Sequence, residues 1–194
     1  MKVKETSPAY LTQKKPFTYQ DYLKLPEDGQ RYEIINGELI MTTSPFLTHQ
    51  RISANIMDEL RAFVKKTNAG EVLYAPVDVV LSETNVVQPD ILYIATENAG
   101  IAGEKNVSGA PDLLIEIVSP SSGYYDLVEK KELYEKFGVK EYWIVDPKKQ
   151  WVEIYINENR KFKLFQRLDK EGVLASKVLK GFQIALATIF GTQI

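Results

Sequence analysis

Three ionisable side chains occupy positions where the sequence predicts buried structure. Glu116 interrupts the apolar run 113–118, which has the pattern of a strand covered on both faces. Lys130 falls near the centre of the apolar face of the helix that follows, at 100° per residue. Asp90 comes directly after Pro89 and opens the apolar strand 91–95. Because an unpaired charge is costly to bury, we expect these three side chains to meet in one cleft.

Two carboxylates and a lysine in one cleft match the needs of metal-assisted phosphodiester hydrolysis. Asp90 and Glu116 would hold Mg²⁺ or Mn²⁺ through oxygen ligands, and the main-chain carbonyl of Ile117 would complete the coordination. The metal acidifies a water molecule and neutralises charge on the phosphate. Lys130 would orient or help to deprotonate that water, or stabilise the pentavalent centre as a compact charge.

The elements that must position these residues form a strand, a helix and a second strand over residues 111–147. The helix ends at Gly138, and the second strand ends at Pro147. Upstream, Asn36-Gly37 between two apolar arms predicts a hairpin with a type I′ turn. Downstream, residues 151–169 predict another hairpin. The pattern indicates an α/β (α+β) fold with a mixed central sheet flanked by helices.

Two further residues, Glu33 and His49, are open to more than one interpretation. Glu33 lies in the first hairpin on the face opposite Tyr32, and the simplest interpretation is a solvated strand residue. His49 lies in the first turn of an amphipathic helix over about 49–66, with Thr48 as its expected cap. A lone histidine on an apolar face is more often a packed, hydrogen-bonded residue than a catalyst.

Composition narrows the class of protein. The chain has 194 residues, 44% hydrophobic, so a single folded domain over 17–194 is expected, preceded by a flexible tail at 1–16. The 26 acidic residues against 24 Lys and Arg argue against nonspecific coating of nucleic acid. The absence of cysteine and the single histidine exclude thiolate or multi-histidine zinc sites from this chain. No apolar run is long enough for a membrane span, and a soluble, cytoplasmic protein is expected.

The sequence resembles the PD-(D/E)XK nuclease superfamily, which has the restriction endonuclease-like fold. Asp90 in VQPDILYI and Glu116 in DLLIEIVS are similar to its acidic pair. The chain is more closely similar to a bacterial family of restriction endonuclease-like proteins long carried as a domain of unknown function. That pattern runs from YEIINGEL through SPFLTHQ, QPDILYI, EIVSPSS and DLVEKKELY to GVKEYWIVDP.

The resemblance implies an endonuclease that uses Mg²⁺ to cut DNA. It departs from the superfamily at Val118, where the usual lysine would stand two residues after the acid, and this implies that the lysine has moved to Lys130 on the following helix. Glu33 and His49 match positions common to the narrower family, which implies auxiliary site roles.

Three hypotheses follow. The first is a Mg²⁺-dependent deoxyribonuclease, expected as a homodimer because two symmetric sites can cut both strands of a duplex. The second is a nucleic-acid-binding or regulatory module with an idle site on the same fold. The third is a buried structural ion pair between Glu116 and Lys130, which leaves Asp90 as a turn residue.

Overall fold

The structure, a computed structural model, describes residues 9–11, 15–26, 28–42, 46–119 and 123–191. The strands in these ranges are β1 (Ala9–Leu11), β2 (Arg31–Ile35), β3 (Glu38–Thr42), β4 (Gly70–Tyr74), β5 (Val79–Ser82), β6 (Asn85–Val87), β7 (Ile91–Ala95), β8 (Val107–Ser108), β9 (Leu113–Ile117), β10 (Glu141–Asp146), β11 (Trp151–Asn157), β12 (Phe162–Asp169), β13 (Val173–Ala175) and β14 (Gln183–Ala185). The helices are α1 (Tyr19–Tyr22), α2 (Leu47–Thr67), α3 (Gly123–Phe137) and α4 (Leu186–Phe190), with a 3-10 helix at Thr96–Ile101.

The strands form two six-stranded sheets and one small sheet. Sheet A has the order β1-β3-β2-β6-β5-β8, and sheet B has the order β12-β11-β10-β9-β7-β4. In sheet B, β9 and β10 run parallel, whereas the other neighbouring pairs are antiparallel. β13 and β14 pair with each other. Sheet B is therefore mixed, as the sequence predicts.

Sheet B is covered on both faces. One face packs against α2 and α4, through the odd-numbered β9 residues Leu113, Ile115 and Ile117. The other face, which carries Leu114, packs against α3 and against side chains of sheet A. Because successive strand residues point to opposite faces, Glu116 belongs to this second face. The predicted α+β architecture with a central sheet between helices is confirmed.

Both predicted hairpins are present. Asn36 and Gly37 have φ of 52° and 81°, the two positive values that a type I′ turn requires, and they join β2 to β3. The second hairpin joins β11 to β12. The expected cap of the long helix is wrong, because α2 begins one residue before Thr48 and has Phe46 at its N-cap with no side-chain hydrogen bond.

Some expectations concern segments that are only partly described. Within the predicted tail 1–16, Ala9–Leu11 forms β1 and pairs with β3. Most of the remaining tail, and the motif segments at 43–45 and 120–122, lie outside the described residues. The division into a tail and one domain stays a prediction. No helix in the described part of the chain is long and apolar enough to cross a membrane.

Candidate active site

Strand pairing brings Asp90 next to Glu116. β7 and β9 are antiparallel with Ile91 opposite Ile115, so the residues one step further along, Asp90 and Glu116, fall opposite each other. The Ile117 N–H donates to Oδ2 of Asp90 at 2.8 Å, which fixes the carboxylate beside the end of β9. The two acids that the sequence singles out therefore share one end of a strand pair.

Glu116 faces α3 and is buried, with 5% of its surface exposed. Its Oε1 accepts hydrogen bonds from the Lys130 amine at 3.1 Å and from the Tyr134 hydroxyl at 2.7 Å. Lys130 and Tyr134 are one helical turn apart, so both side chains lie on the same face of α3. The inward direction expected for Lys130 is what the structure has.

Glu33 belongs to the same cluster, and its interpretation as a solvated strand residue is wrong. Only 2% of its surface is exposed, and its Oε1 lies 2.9 Å from the Lys130 amine. The Gln88 N–H donates to the same oxygen at 2.7 Å. As expected from the alternation along β2, Glu33 and Tyr32 lie on opposite faces of the strand. The face that carries Glu33 is covered by α3 and is not exposed to water.

His49 connects α2 to the site from the other side. Its Nε2 lies 3.0 Å from Oδ2 of Asp90, and because a carboxylate only accepts, Nε2 carries the hydrogen. Its Nδ1 is buried and has no hydrogen-bond partner among the described residues. His49 is therefore packed and hydrogen-bonded, as the simplest interpretation has it, and its partner is Asp90.

The electrostatics of the cluster reflect an excess of negative charge. Burial raises the pKa of Glu116 to about 7, and Asp90 and Glu33 act in the same direction, against the attraction of Lys130 and the Tyr134 hydrogen bond. Burial alone would lower the pKa of Lys130, but its attraction to Glu116, Glu33 and Asp90 outweighs that effect and raises the pKa above its ordinary range. Lys130 therefore carries its proton in this arrangement.

The donor set fits a hard divalent cation. In the described part of the chain, the side-chain hydrogen bonds of Asp90 and Glu116 all fall on Oδ2 and Oε1, which leaves the second oxygen of each carboxylate for a ligand. No group of three or more His, Asp or Glu side chains within the described ranges could hold a metal by itself. Two carboxylates completed by water and main-chain oxygen suit Mg²⁺, which keeps several waters.

The sequence reasoning did not identify Tyr134 and Gln88. In the sequence Tyr134 has only the pattern of an apolar-face residue of its helix, although its spacing of four from Lys130 places the hydroxyl beside the amine. Gln88 reaches Glu33 through its main-chain N–H, and no side-chain pattern could indicate that contact.

The mixed sheet between helices, with an acid at the start of one strand and another inside its neighbour, defines a restriction endonuclease-like fold. The chain belongs to the Uma2 family, described as "Putative restriction endonuclease", whose model matches residues 19–187. A similar solved structure is described as "a putative nuclease belonging to DUF820" from Anabaena variabilis ATCC 29413, at 21% identity and a TM-score of 0.74. The similarity covers 90% of this chain and 98% of the other. A search of curated proteins found no match.

Proposed function

We propose that the chain is a metal-dependent endonuclease that hydrolyses phosphodiester bonds in DNA. The observation that carries the proposal is the meeting of Asp90, Glu116 and Lys130 through strand pairing and a single buried network. Family membership supports the same class of reaction, since the family is described as "Putative restriction endonuclease". The solved similar chain has low identity and supports the fold only.

In this proposal the two carboxylates hold Mg²⁺ or Mn²⁺, together with the main-chain carbonyl of Ile117. The bound cation supplies an acidified water and neutralises phosphate charge. Asp90 is kept in place by the Ile117 N–H and by His49, so its remaining oxygen keeps one direction. Glu116 is held in the same way by Lys130 and Tyr134.

Lys130 supplies positive charge beside the scissile phosphate. Its amine lies between Glu33 and Glu116, at 2.9 Å and 3.1 Å from their oxygens, and it keeps its proton. A protonated amine can donate hydrogen bonds to a phosphate oxygen or to a water, but it cannot take a proton from that water. Of the roles expected from the sequence, Lys130 therefore takes orientation of the water and stabilisation of the phosphate charge.

A nucleic-acid-binding module without cleavage is the second candidate. The contacts of Lys130 favour this candidate over cleavage. The amine already donates to both neighbouring carboxylates, Glu33 and Glu116. The same contacts are what the third hypothesis, a buried structural ion pair, expects at the junction of β2, β9 and α3. This candidate predicts DNA binding that weakens steeply with salt and no strand breaks at any metal concentration.

We further propose that the cleaving form is a homodimer, because two sites related by a twofold axis can cut both strands of a duplex. As expected from the sequence, we propose that it acts in the cytoplasm. Sedimentation equilibrium with and without a DNA duplex would test the homodimer. A chain that cuts both strands while remaining a monomer would contradict it.

The experiment that tests the proposed function is nicking of supercoiled plasmid by the purified chain with Mg²⁺ or Mn²⁺. Breaks are expected with metal, and they should disappear on addition of a chelator. Glu116→Gln should lose activity by at least about a hundredfold, since the loss of a metal ligand typically exceeds the tenfold to hundredfold effect of an outer partner. Glu153→Gln is the matched control, because Glu153 is equally buried at 5% exposure but bonds to Tyr155 and Arg167 on the hairpin.

Cleavage that persists in Glu116→Gln, or that is lost equally in Glu153→Gln, would contradict the proposed site. DNA binding without cleavage in the unmodified chain would favour the second candidate.

A further inference from the structure

A cavity with Gln88 in its lining lies beside the candidate active site. Its volume is about 460 Å³, which is enough for a planar heterocycle with room for water. Its walls come from α1, from β4 and the segment between β4 and β5, from Gln88 and from the turn before β8. Its lining includes Tyr22, Leu73, Pro76, Val77, Asp78 and Gln88.

Three of these residues form a polar wall that accepts hydrogen bonds. The Gln88 amide nitrogen donates to Oδ1 of Asp78 at 2.9 Å and to the Tyr22 hydroxyl at 3.2 Å. The Tyr22 hydroxyl in turn donates to Oδ1 of Asp78 at 2.7 Å. All the side-chain donors of this trio are therefore used inside it, whereas Gln88 Oε1 is buried with no partner among the described residues. A buried acceptor without a donor is costly, so a ligand that donates is expected there.

The charges of the cavity indicate which ligands it excludes. Three carboxylates line the cavity, those of Glu71, Asp78 and Glu104, whereas its lining has one amine, that of Lys105. A phosphate group would meet net negative charge and is disfavoured. The apolar part of its lining includes Leu73, Pro76 and Val77 and suits the face of a planar ring rather than an ion.

Gln88 also ties this cavity to the proposed active site. Its main-chain N–H donates to Glu33, whose same oxygen contacts Lys130. Gln88 precedes Asp90 by two residues, so their Cα atoms are at most about 7 Å apart. The cavity is therefore close enough to Asp90 for a nucleotide next to the bound phosphate to place its unstacked base there.

We propose that this cavity binds an unpaired nucleobase that carries an amino group, one or two nucleotides from the scissile phosphate. The amino group donates to Gln88 Oε1 and to the free oxygen of Asp78, and the ring lies against the apolar wall. The proposal rests on the proposed function, since it names the part of the nucleic acid that the same site would hold. A base can enter such a cavity only when it is unstacked, so single-stranded or locally opened substrate is favoured.

The test is a nuclear magnetic resonance titration of the full chain with adenosine, cytidine, guanosine and thymidine in the presence of a chelator. Amino-bearing nucleosides should shift the resonances of Tyr22, Asp78 and Gln88 saturably, and thymidine should bind about tenfold more weakly. Gln88→Met keeps the main-chain N–H to Glu33 but removes the amide, and it should weaken binding about tenfold, as should Asp78→Asn. Asp58→Asn, on the exposed side of α2, is the control and should bind like the unmodified chain.

Equal affinity for the four nucleosides, no saturable shifts, or equal weakening in Asp58→Asn would overturn the inference. If Asp78→Asn does not fold, the nucleoside ranking and Gln88→Met decide by themselves. A second arm uses a single-stranded oligonucleotide and its abasic counterpart: weaker binding of the abasic strand supports a base within nucleic acid, whereas equal binding overturns that assignment in favour of a free nucleoside. The titration involves no cleavage, so it tests this inference separately from the proposed function. If the chain cuts DNA but binds no nucleoside, only this inference is contradicted. If the chain binds nucleosides but never cuts DNA, only the proposed function is contradicted.

Discussion

The amine of Lys130 lies 2.9 Å from Oε1 of Glu33, although the two residues are 97 positions apart in the sequence. This contact joins α3 to β2 and thereby brings sheet A against the acidic end of sheet B. The same amine lies 3.1 Å from Glu116, so one cation connects the two sheets through two carboxylates. The stability of the junction and the geometry of the proposed site therefore depend on the same side chain.

Replacing Lys130 should destabilise the chain strongly. Lys130→Met leaves Glu33 and Glu116 buried without their cation, and an uncompensated buried charge costs about 3–5 kcal/mol. The double variant Glu33→Gln with Lys130→Met should recover part of that loss, because only one of the two carboxylates then lacks its cation. Urea denaturation measures all of these values. Lys131→Met is the control, since its amine lies over the Tyr155 ring at 3.4 Å and such a contact is worth about 0.5–1 kcal/mol. A double variant that shows the full sum of the single losses would contradict the coupling.

Changing Tyr134 should cost stability because its hydroxyl is committed to Glu116. Tyr134→Phe removes a buried donor to a carboxylate and should lower the free energy of unfolding by about 1–3 kcal/mol. Tyr142→Phe is the matched control, since Tyr142 is equally buried, contacts the Tyr134 ring at 5.2 Å and has a hydroxyl with no partner among the described residues. That change should be neutral or stabilising. Equal losses in the two variants would mean that the Glu116 contact contributes nothing of its own.

Changing His49 should affect the proposed reaction more than the fold. His49 holds Asp90 through Nε2, and loss of a partner that orients a metal ligand typically costs tenfold to a hundredfold in metal affinity or activity. His49→Ala should therefore reduce plasmid nicking by that amount and should raise the Mn²⁺ concentration needed for half-maximal rate. His49→Gln keeps a donor on a long side chain and should restore part of the affinity. A nicking rate and metal requirement unchanged in His49→Ala would show that Asp90 needs no such support.

Glu116 and Lys130 could be identified from the sequence because each is a charged residue at a position where the hydrophobic pattern calls for an apolar one. An acid inside a two-sided apolar strand and a lysine on the apolar face of a helix both point inward by local geometry alone. Asp90 is a candidate from the sequence only because it immediately precedes a second buried strand. In the structure, the pairing of Ile91 with Ile115 brings Asp90 opposite Glu116.

Glu33 could not be placed in this way. Alternation along β2 gives its face but not what covers that face, and the covering helix lies about a hundred residues downstream. Burial of an acid is also a weak signal by itself. Asp112 and Glu141 are fully buried, yet Asp112 bonds to Lys140 and the Ala95 N–H. Glu141 accepts from Trp143 and from two main-chain N–H groups between β13 and β14. Only tertiary partners distinguish such structural acids from a candidate site.

Metal affinity should depend on Asp90 without a large change in fold. Asp90→Asn keeps the shape of the side chain and an oxygen for the Ile117 N–H, so unfolding should change by no more than about 1–3 kcal/mol. Calorimetric titration with Mn²⁺ should show at least a tenfold loss of affinity relative to the unmodified chain. Asp112→Asn, a buried acid at the far end of β9, should leave the affinity unchanged. Equal losses in both variants would indicate a general effect on the fold.

The most direct measurement is the anomalous difference density of crystals of the full chain grown with Mn²⁺. A single strong peak within about 2.0–2.3 Å of one oxygen of Asp90 and one oxygen of Glu116 is the predicted result. Crystals that hold Mn²⁺ elsewhere, or that show no peak between Asp90 and Glu116 at saturating metal, would contradict a metal-dependent site at these residues.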